Sequence, residues 1–357
     1  MIRTSRTLRL VATTAAALSV VAGAVGCSRA QSADSAPASD QGAAAELRLG
    51  YFPNVTHAPA LIGLEKGFYA RELGSTTLVP TTFNAGGDAI SALFGGSIDA
   101  TFIGSGPAIN GFDKSRGKSV RLVAGAASKG AQLVVKPEIA TVDDLRGKTV
   151  VTPQLGNTQD VALKKYLADK QLTDQVDVQN TENALALEEF RKGGVQAAWL
   201  PEPWSSRLVL EAGAKVLLDE KELWPDRGDF PTTVLIVRTE YLQQHPETVK
   251  ALIKGLSAAV DLVTSDLAGA KEATNAQLAA LSGKPLPGPV IDRAFGNITF
   301  GLDPFARLLP QLAKDAETAK IAKSTPDLHG FVAFGPLNAV LSEAGKPAVD
   351  AAGLDKK

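Results

Sequence analysis

A two-lobed α/β architecture is predicted for this chain, and three observations predict it. From Glu46 onward, strand-like apolar runs alternate with helix-like runs, the pattern of a parallel-rich sheet covered by helices. After "AQLVVKPEIATVDDLRGK" (131–148) the alternation starts afresh. The second half then echoes the first. "FGGSIDATFIGSGP" (Phe94–Pro107) and "RKGGVQAAWLPEPW" (Arg191–Trp204) each pass from a helix end through a glycine pair and a strand into a proline-marked helix.

The elements follow in order. Strand-like runs in the first half are "LRLGYF", "TTLVPTTF", "DATFIG" and "RLVAGA", separated by "PALIGLEKGFY" and "GDAISALFGG", whose apolar residues recur at helical spacing. The second half supplies "TVVTP", "VDVQNT", "QAAWL" and "AKVLLD". In each echoed copy the glycines suit a helix C-cap and the proline suits a first helical turn, where its missing N–H costs nothing. The chain is expected to cross between lobes near "GAQLVVKP" (Gly130–Pro137) and to return through "FPTTVLIVR" (Phe230–Arg238), two crossings that make a hinge. "PETVKALIKGLSAAVDLV", "PVIDRAFGNITF" and "DPFARLLPQLAKDAETAKI" are expected as helices that finish the first lobe. The boundaries are then 46–133 and 232–357 for lobe one and 134–231 for lobe two, with residues 1–26 as a signal segment and 27–45 as a tether.

The signal segment has Arg3, Arg6 and Arg9 ahead of "LRLVATTAAALSVVAGAVG", an apolar run too short and alanine-rich for a spanning helix. It ends in "AVGC", and Cys27 is the sole cysteine of 357 residues. This resembles a bacterial lipobox, so the Cys27 sulfur is expected to carry a lipid and hold the protein at a membrane's outer face. The low-complexity stretch "SRAQSADSAPASDQGAAA" behind it would span about 20–25 Å as a coil. Lys plus Arg (37) balances Asp plus Glu (38), which leaves no bulk field for nucleic acid.

Function is sought at the carboxyl edges of the strands, where open α/β sheets bind ligands. Gly104-Ser105-Gly106 precedes Pro107, the expected helix start. Small residues there would let an anion reach free N–H groups, although an ordinary serine-capped turn has the same sequence. Asn54, Thr56 and His57 in "FPNVTHAP", Asn84 in "FNAGGD", and Gly156, Asn157, Thr158 and Gln159 in "TPQLGNTQD" repeat the theme of uncharged donors before a helix. Glu202 and Trp204 open the echoed helix. Glu202 is read either as a partner for a ligand ammonium or as an acid favoured at a helix start. Trp204 and His57 are read either as pocket walls or as structural groups. His57, His245 and His329 lack metal-ligand spacing, so no metal is expected. No motif pairs a nucleophile with a base, so neither an enzyme nor a cofactor is expected. No oligomer signal is present, and a monomer is expected.

Taken together, "LRLGYFPNVTHAPALIGLEKGFYARELG", "FNAGGDAISALFGGSIDATFIGSGPAING", "TPQLGNTQDVALKKYL" and "WLPEPWSSRLVLEAG" resemble the nitrate/sulfonate/taurine family of ABC-transporter substrate-binding proteins, aliphatic sulfonate binders above all. The resemblance implies the two-lobed periplasmic-binding fold of the second topological type and delivery of a ligand to a permease driven by a cytoplasmic ATPase. It also implies a small oxyanion headgroup, an alkanesulfonate or taurine, held by Ser105, the Gly106 amide, Thr158 and Gln159. Relatives with similar "FPNVTHAP" segments bind pyrimidine precursors of thiamine, and others on this fold bind nitrate or bicarbonate, so those ligands stay open. A thiamine-precursor synthase and a surface sensor or adhesin are the remaining alternatives.

Overall fold

The computed structural model describes residues 39–225 and 227–356; the lipobox cysteine, Cys27, lies outside them. One six-stranded sheet contains β1 (Glu46–Tyr51), β2 (Thr77–Thr82), β3 (Ala100–Gly104), β4 (Val120–Lys129), β10 (Pro231–Arg238) and β11 (Ile298–Phe300), in the order β11-β4-β10-β3-β1-β2. A five-stranded sheet contains β5 (Ala131–Val135), β6 (Thr149–Thr152), β7 (Asp177–Asn180), β8 (Ala197–Pro201) and β9 (Lys215–Asp219), in the order β7-β6-β8-β5-β9. Helices α1 (Ala58–Glu65), α2 (Phe68–Leu73), α3 (Gly86–Phe94) and α4 (Ser105–Lys114) serve the first sheet, and α5 (Thr158–Asp169), α6 (Asn183–Lys192) and α7 (Trp204–Ala212) the second. The remainder are α8 (Thr239–Gln244), α9 (Pro246–Ser265), α10 (Leu267–Ser282), α11 (Gly288–Gly296), α12 (Leu309–Thr318) and α13 (Gly335–Glu343).

Parallel pairing is confined to the strand–helix–strand units: β1 with β2 and β3, and β6 with β7 and β8. The strands next to the crossings run antiparallel to those units. β10 pairs β3 and β4, and β5 pairs β8 and β9, each time antiparallel. A chain that leaves one sheet for the other enters without a covering helix and so meets the local strands head to tail. Gly130, at φ +76, makes the first crossing in a backbone region that favours glycine.

The central strands of the second sheet are buried on both faces, and their side chains alternate between two clusters. Leu133, Val150 and Trp199 join one apolar cluster, while their neighbours Val134, Val151, Ala198 and Leu200 join the other. Two expectations are corrected. "PVIDRAFGNITF" is not helical throughout: α11 stops at Gly296, and Ile298–Phe300 add β11 to the edge of β4, where β-branched residues fit a pleated surface. The helix after β3 begins at Ser105 rather than at Pro107, which falls inside its first turn. Helices α11 and α12 also reach past the first sheet: α11 packs on α7, and α12 packs on α5 as well as α4.

Candidate functional site

The N-termini of α3, α4, α5 and α6, with the 3-10 turn 55–57 that leads into α1, meet around one cavity of about 420 Å³ including its mouth. The residues ahead of these helical starts are Asn54, Ala85, Gly104, Asn157 and Glu182, and none makes a side-chain cap bond. Apart from Gly106 N, which donates to Thr158 Oγ1, and Thr56 N, which donates to Glu202 O, no side-chain cap takes up the first-turn N–H groups, and each helix end contributes about half a positive charge. Among the described residues, no charged side chain lines the cavity. The buried acid beside it, Asp160, faces away: its carboxylate accepts from Gly156 N (2.8 Å), Lys164 Nζ (2.8 Å), Thr152 Oγ1 (3.0 Å) and Asn180 Nδ2 (2.7 Å), which fixes the α5 entry loop.

The side-chain inventory on the wall is that of an anion cradle. Two groups able to donate, Gln159 Nε2 and Thr233 Oγ1, are buried on the cavity wall without a hydrogen-bond partner among the described residues; Asn183 Oδ1, an acceptor, is also unpaired there. A buried polar group left unpaired costs about 1–3 kcal/mol, a penalty that an oxyanion relieves at the two donors. His57 is buried, stacks on Phe52 at 4.7 Å, and accepts from Phe52 N at 3.4 Å through Nδ1. Burial lowers its pKa to about 3, so the ring is neutral and its proton sits on Nε2. The sign of the consequence follows. Between pH 3 and the unfolded value near 6.5 the unfolded chain binds the extra proton, so stability falls as pH falls through that window. We expect chemical denaturation at pH 4–7 to show this slope and His57→Gln to lose about one proton's worth of it; an unaltered slope would refute the assignment.

Of the sequence candidates, Asn54, His57, Asn84, Asn157, Thr158 and Gln159 line the cavity. Gly106 and Gly156 instead join the two halves: Gly106 N donates to Thr158 Oγ1 (3.2 Å), and Asn110 Nδ2 donates to Gly156 O (3.2 Å). Ser105 is wholly buried with an unpartnered hydroxyl, but Gly104 and Pro107, not Ser105, are on the wall. Trp204 is half-buried and donates from Nε1 to Asn54 Oδ1 at 2.9 Å, a third tie between the halves. It lines an annex of about 370 Å³ with Phe52, Phe83 and Asn84, where exposed Glu182 supplies the carboxylate. Glu202 does not line the cavity: it is fully buried, as an acid at the start of α7. Its Oε1 accepts from Asn297 Nδ2 (2.7 Å) and Arg293 Nη1 (3.3 Å), and its Oε2 accepts from Ser206 N (3.2 Å). Asn183, Thr232 and Thr233 were missed as wall residues. Asn183 follows β7 at the same strand edge, a usable signal; the two threonines sit on the returning strand β10, where the sequence marks nothing.

Two helix-covered sheets joined by two crossings, with a cavity where their helix ends meet, are the architecture of the periplasmic-binding fold. The chain belongs to the NMT1-like family, whose model matches residues 40–281. It is 28% identical over 298 residues to the taurine-binding periplasmic protein of Escherichia coli K12, covering 82% of this chain and 85% of that one. In structure it is similar to the alkanesulfonate-binding protein SsuA from Xanthomonas axonopodis pv. citri bound to MOPS (TM-score 0.67, 24% identity, 80% and 95% of the chains covered). It is also similar to the periplasmic nitrate-binding protein NrtA from Synechocystis PCC 6803 (TM-score 0.68, 18% identity, 85% and 90% covered). No helix among the described residues is long and apolar enough to cross a membrane.

Proposed function

We propose that the chain is the extracytoplasmic receptor of an ABC importer and closes on a small organosulfonate, which it passes to the permease and its ATPase. The observation that carries this reading is the cavity wall: converging helix N-termini and neutral donors with no charged side chain among the described residues. Such a wall suits a compact oxyanion whose charge is spread over several oxygens, each taking N–H or O–H bonds. The ligand's tail then lies in the annex of Phe52, Phe83 and Trp204, and Glu182 at that annex serves an amino-bearing tail such as taurine's. Closure is a population shift, worth only what the ligand bridges between the halves.

The test is calorimetry with taurine, C2–C8 alkanesulfonates, nitrate, bicarbonate and hydroxymethylpyrimidine. A sulfonate at 100 times its Kd should stabilise the fold by about 2.7 kcal/mol. A response to the pyrimidine or nitrate with none to any sulfonate overturns the reading. Glu182→Gln is expected to weaken taurine about 3–10-fold, as loss of an exposed charge partner does, and to leave ethanesulfonate unchanged. We further propose that Cys27 is lipidated; Cys27→Ser should then release the protein from membranes, and continued membrane retention would count against the anchor.

A further inference from the structure

A larger crevice, about 960 Å³ including its mouth, lies outside the cavity just described, among α5, the 3-10 turn Glu220–Leu223 and α12. A smaller pocket shares Ala162, Glu220, Trp224 and Asp315 with it and extends to Gly106 and Thr158. Two carboxyl groups line both spaces from different elements. Glu220 is 1% exposed and Asp315 is 8% exposed. One oxygen of each is occupied: Glu220 Oε2 accepts from Trp199 Nε1 at 2.7 Å, and Asp315 Oδ1 accepts from Gln311 Nε2 at 2.8 Å. The second oxygen of each has no hydrogen-bond or salt-bridge partner among the described residues. Lys165, the cation in the lining, is tied to Asp169. Aromatic surface completes the wall: Trp224, stacked by one side on Phe230 at 5.6 Å, and Tyr166.

We propose that this crevice is a second binding site, for a small organic ammonium ion held by the free oxygens of Glu220 and Asp315 against Trp224 and Tyr166. An ammonium supplies donors to the two unpaired oxygens, and its alkyl groups suit the aromatic faces through cation–π attraction. Burial without a cationic partner raises both acids, Glu220 to about 8, and the charges of Asp219 and Asp315 add to the rise at Glu220. The charged groups nearby are mixed: Lys165 and Asp169 on α5, Glu222 beside Tyr166, and Lys314 on α12. None supplies the missing donor. A metal ion fits less well, because no three His, Cys, Asp or Glu side chains cluster among the described residues.

The experiment is titration calorimetry of the full chain with ethylammonium and tetramethylammonium chloride, at constant ionic strength and without sulfonate, so that failure here is separate from failure of the sulfonate reading. Saturable binding with proton release below pH 8 is expected. Glu220→Gln keeps the acceptor for Trp199 and copies the neutral acid, so it should fold normally; it and Asp315→Asn should each weaken binding at least tenfold, about 1.4 kcal/mol. Trp224→Leu should weaken tetramethylammonium more than ethylammonium, and melting curves check each variant's fold. No saturable heat at millimolar probe, wild-type affinity in both acid variants, or equal binding of sodium ion overturns the proposal.

Discussion

Gly106→Val is expected to raise the Kd for sulfonate about 10–100-fold while leaving the melting temperature of the ligand-free protein unchanged. A Cβ built on Gly106 lies 3.1 Å from both Cα and N of Thr158 and 3.4 Å from Gly156 O. Those are main-chain atoms at the start of α5 and cannot swing aside as a flexible side chain would. Valine adds two methyl groups to that overlap, and overpacking of this kind costs about 1–3 kcal/mol. The cost falls on the closed state, where the starts of α4 and α5 touch through the Gly106 N to Thr158 Oγ1 bond. In an opened form the valine meets solvent, so the penalty is subtracted from ligand affinity rather than from folding. Gly106→Ala, with one methyl, should cost about tenfold or less by the same reasoning. Calorimetry and ligand-free thermal melting together check this; wild-type affinity in the valine variant would show that the two helix starts do not come together around the ligand.

The strand–helix units were legible because they are local. Each copy of the echo places helix end, glycine, strand and helix start within about fourteen consecutive residues, and capping and first-turn preferences act over that range. The donor loops Asn54–His57 and Asn157–Gln159 were legible for the same reason: a helix that follows a strand starts at the binding edge whatever the rest of the chain does. Of the two readings of Glu202, the acid at a helix start agrees with its bond from Ser206 N, but its other partners, Arg293 and Asn297, stand 91 and 95 positions further along. Nothing near "LPEPW" reports them. The same distance hid Thr233, which reaches the cavity only because β10 returns to pair with both β3 and β4. Trp204 was ambiguous for a different reason. Its ring both lines the annex and bonds Asn54, so core and pocket were not exclusive alternatives. Sequence proximity thus revealed the edge of each sheet, while what crosses from one to the other required the fold.

Glu202→Ala should destabilise the protein by about 2–4 kcal/mol and weaken taurine and alkanesulfonates equally. Glu202 is fully buried, and α11 brings Arg293 over to meet it; the guanidinium also donates to Ser206 Oγ (2.8 Å) and Gln132 Oε1 (2.7 Å). Deleting one member of a buried ion pair typically costs 3–5 kcal/mol, because the other is left charged and unpaired. Here Arg293 keeps two neutral acceptors and 23% side-chain exposure, which lowers the expected figure. A double-mutant cycle with Arg293→Ala separates the pair from its surroundings: the coupling should be at least about 1 kcal/mol, since the two touch directly. If Glu202 instead served a ligand's ammonium, Glu202→Gln would damage taurine binding alone and spare stability. The network points the other way. An acid that already accepts from an arginine, an asparagine and a main-chain N–H has little left to offer a guest, and its position ties α7 to α11 beside the crossing strand β5. Loss of stability without loss of discrimination between taurine and alkanesulfonates, read by urea titration and calorimetry on the same variant, is therefore the expected pattern.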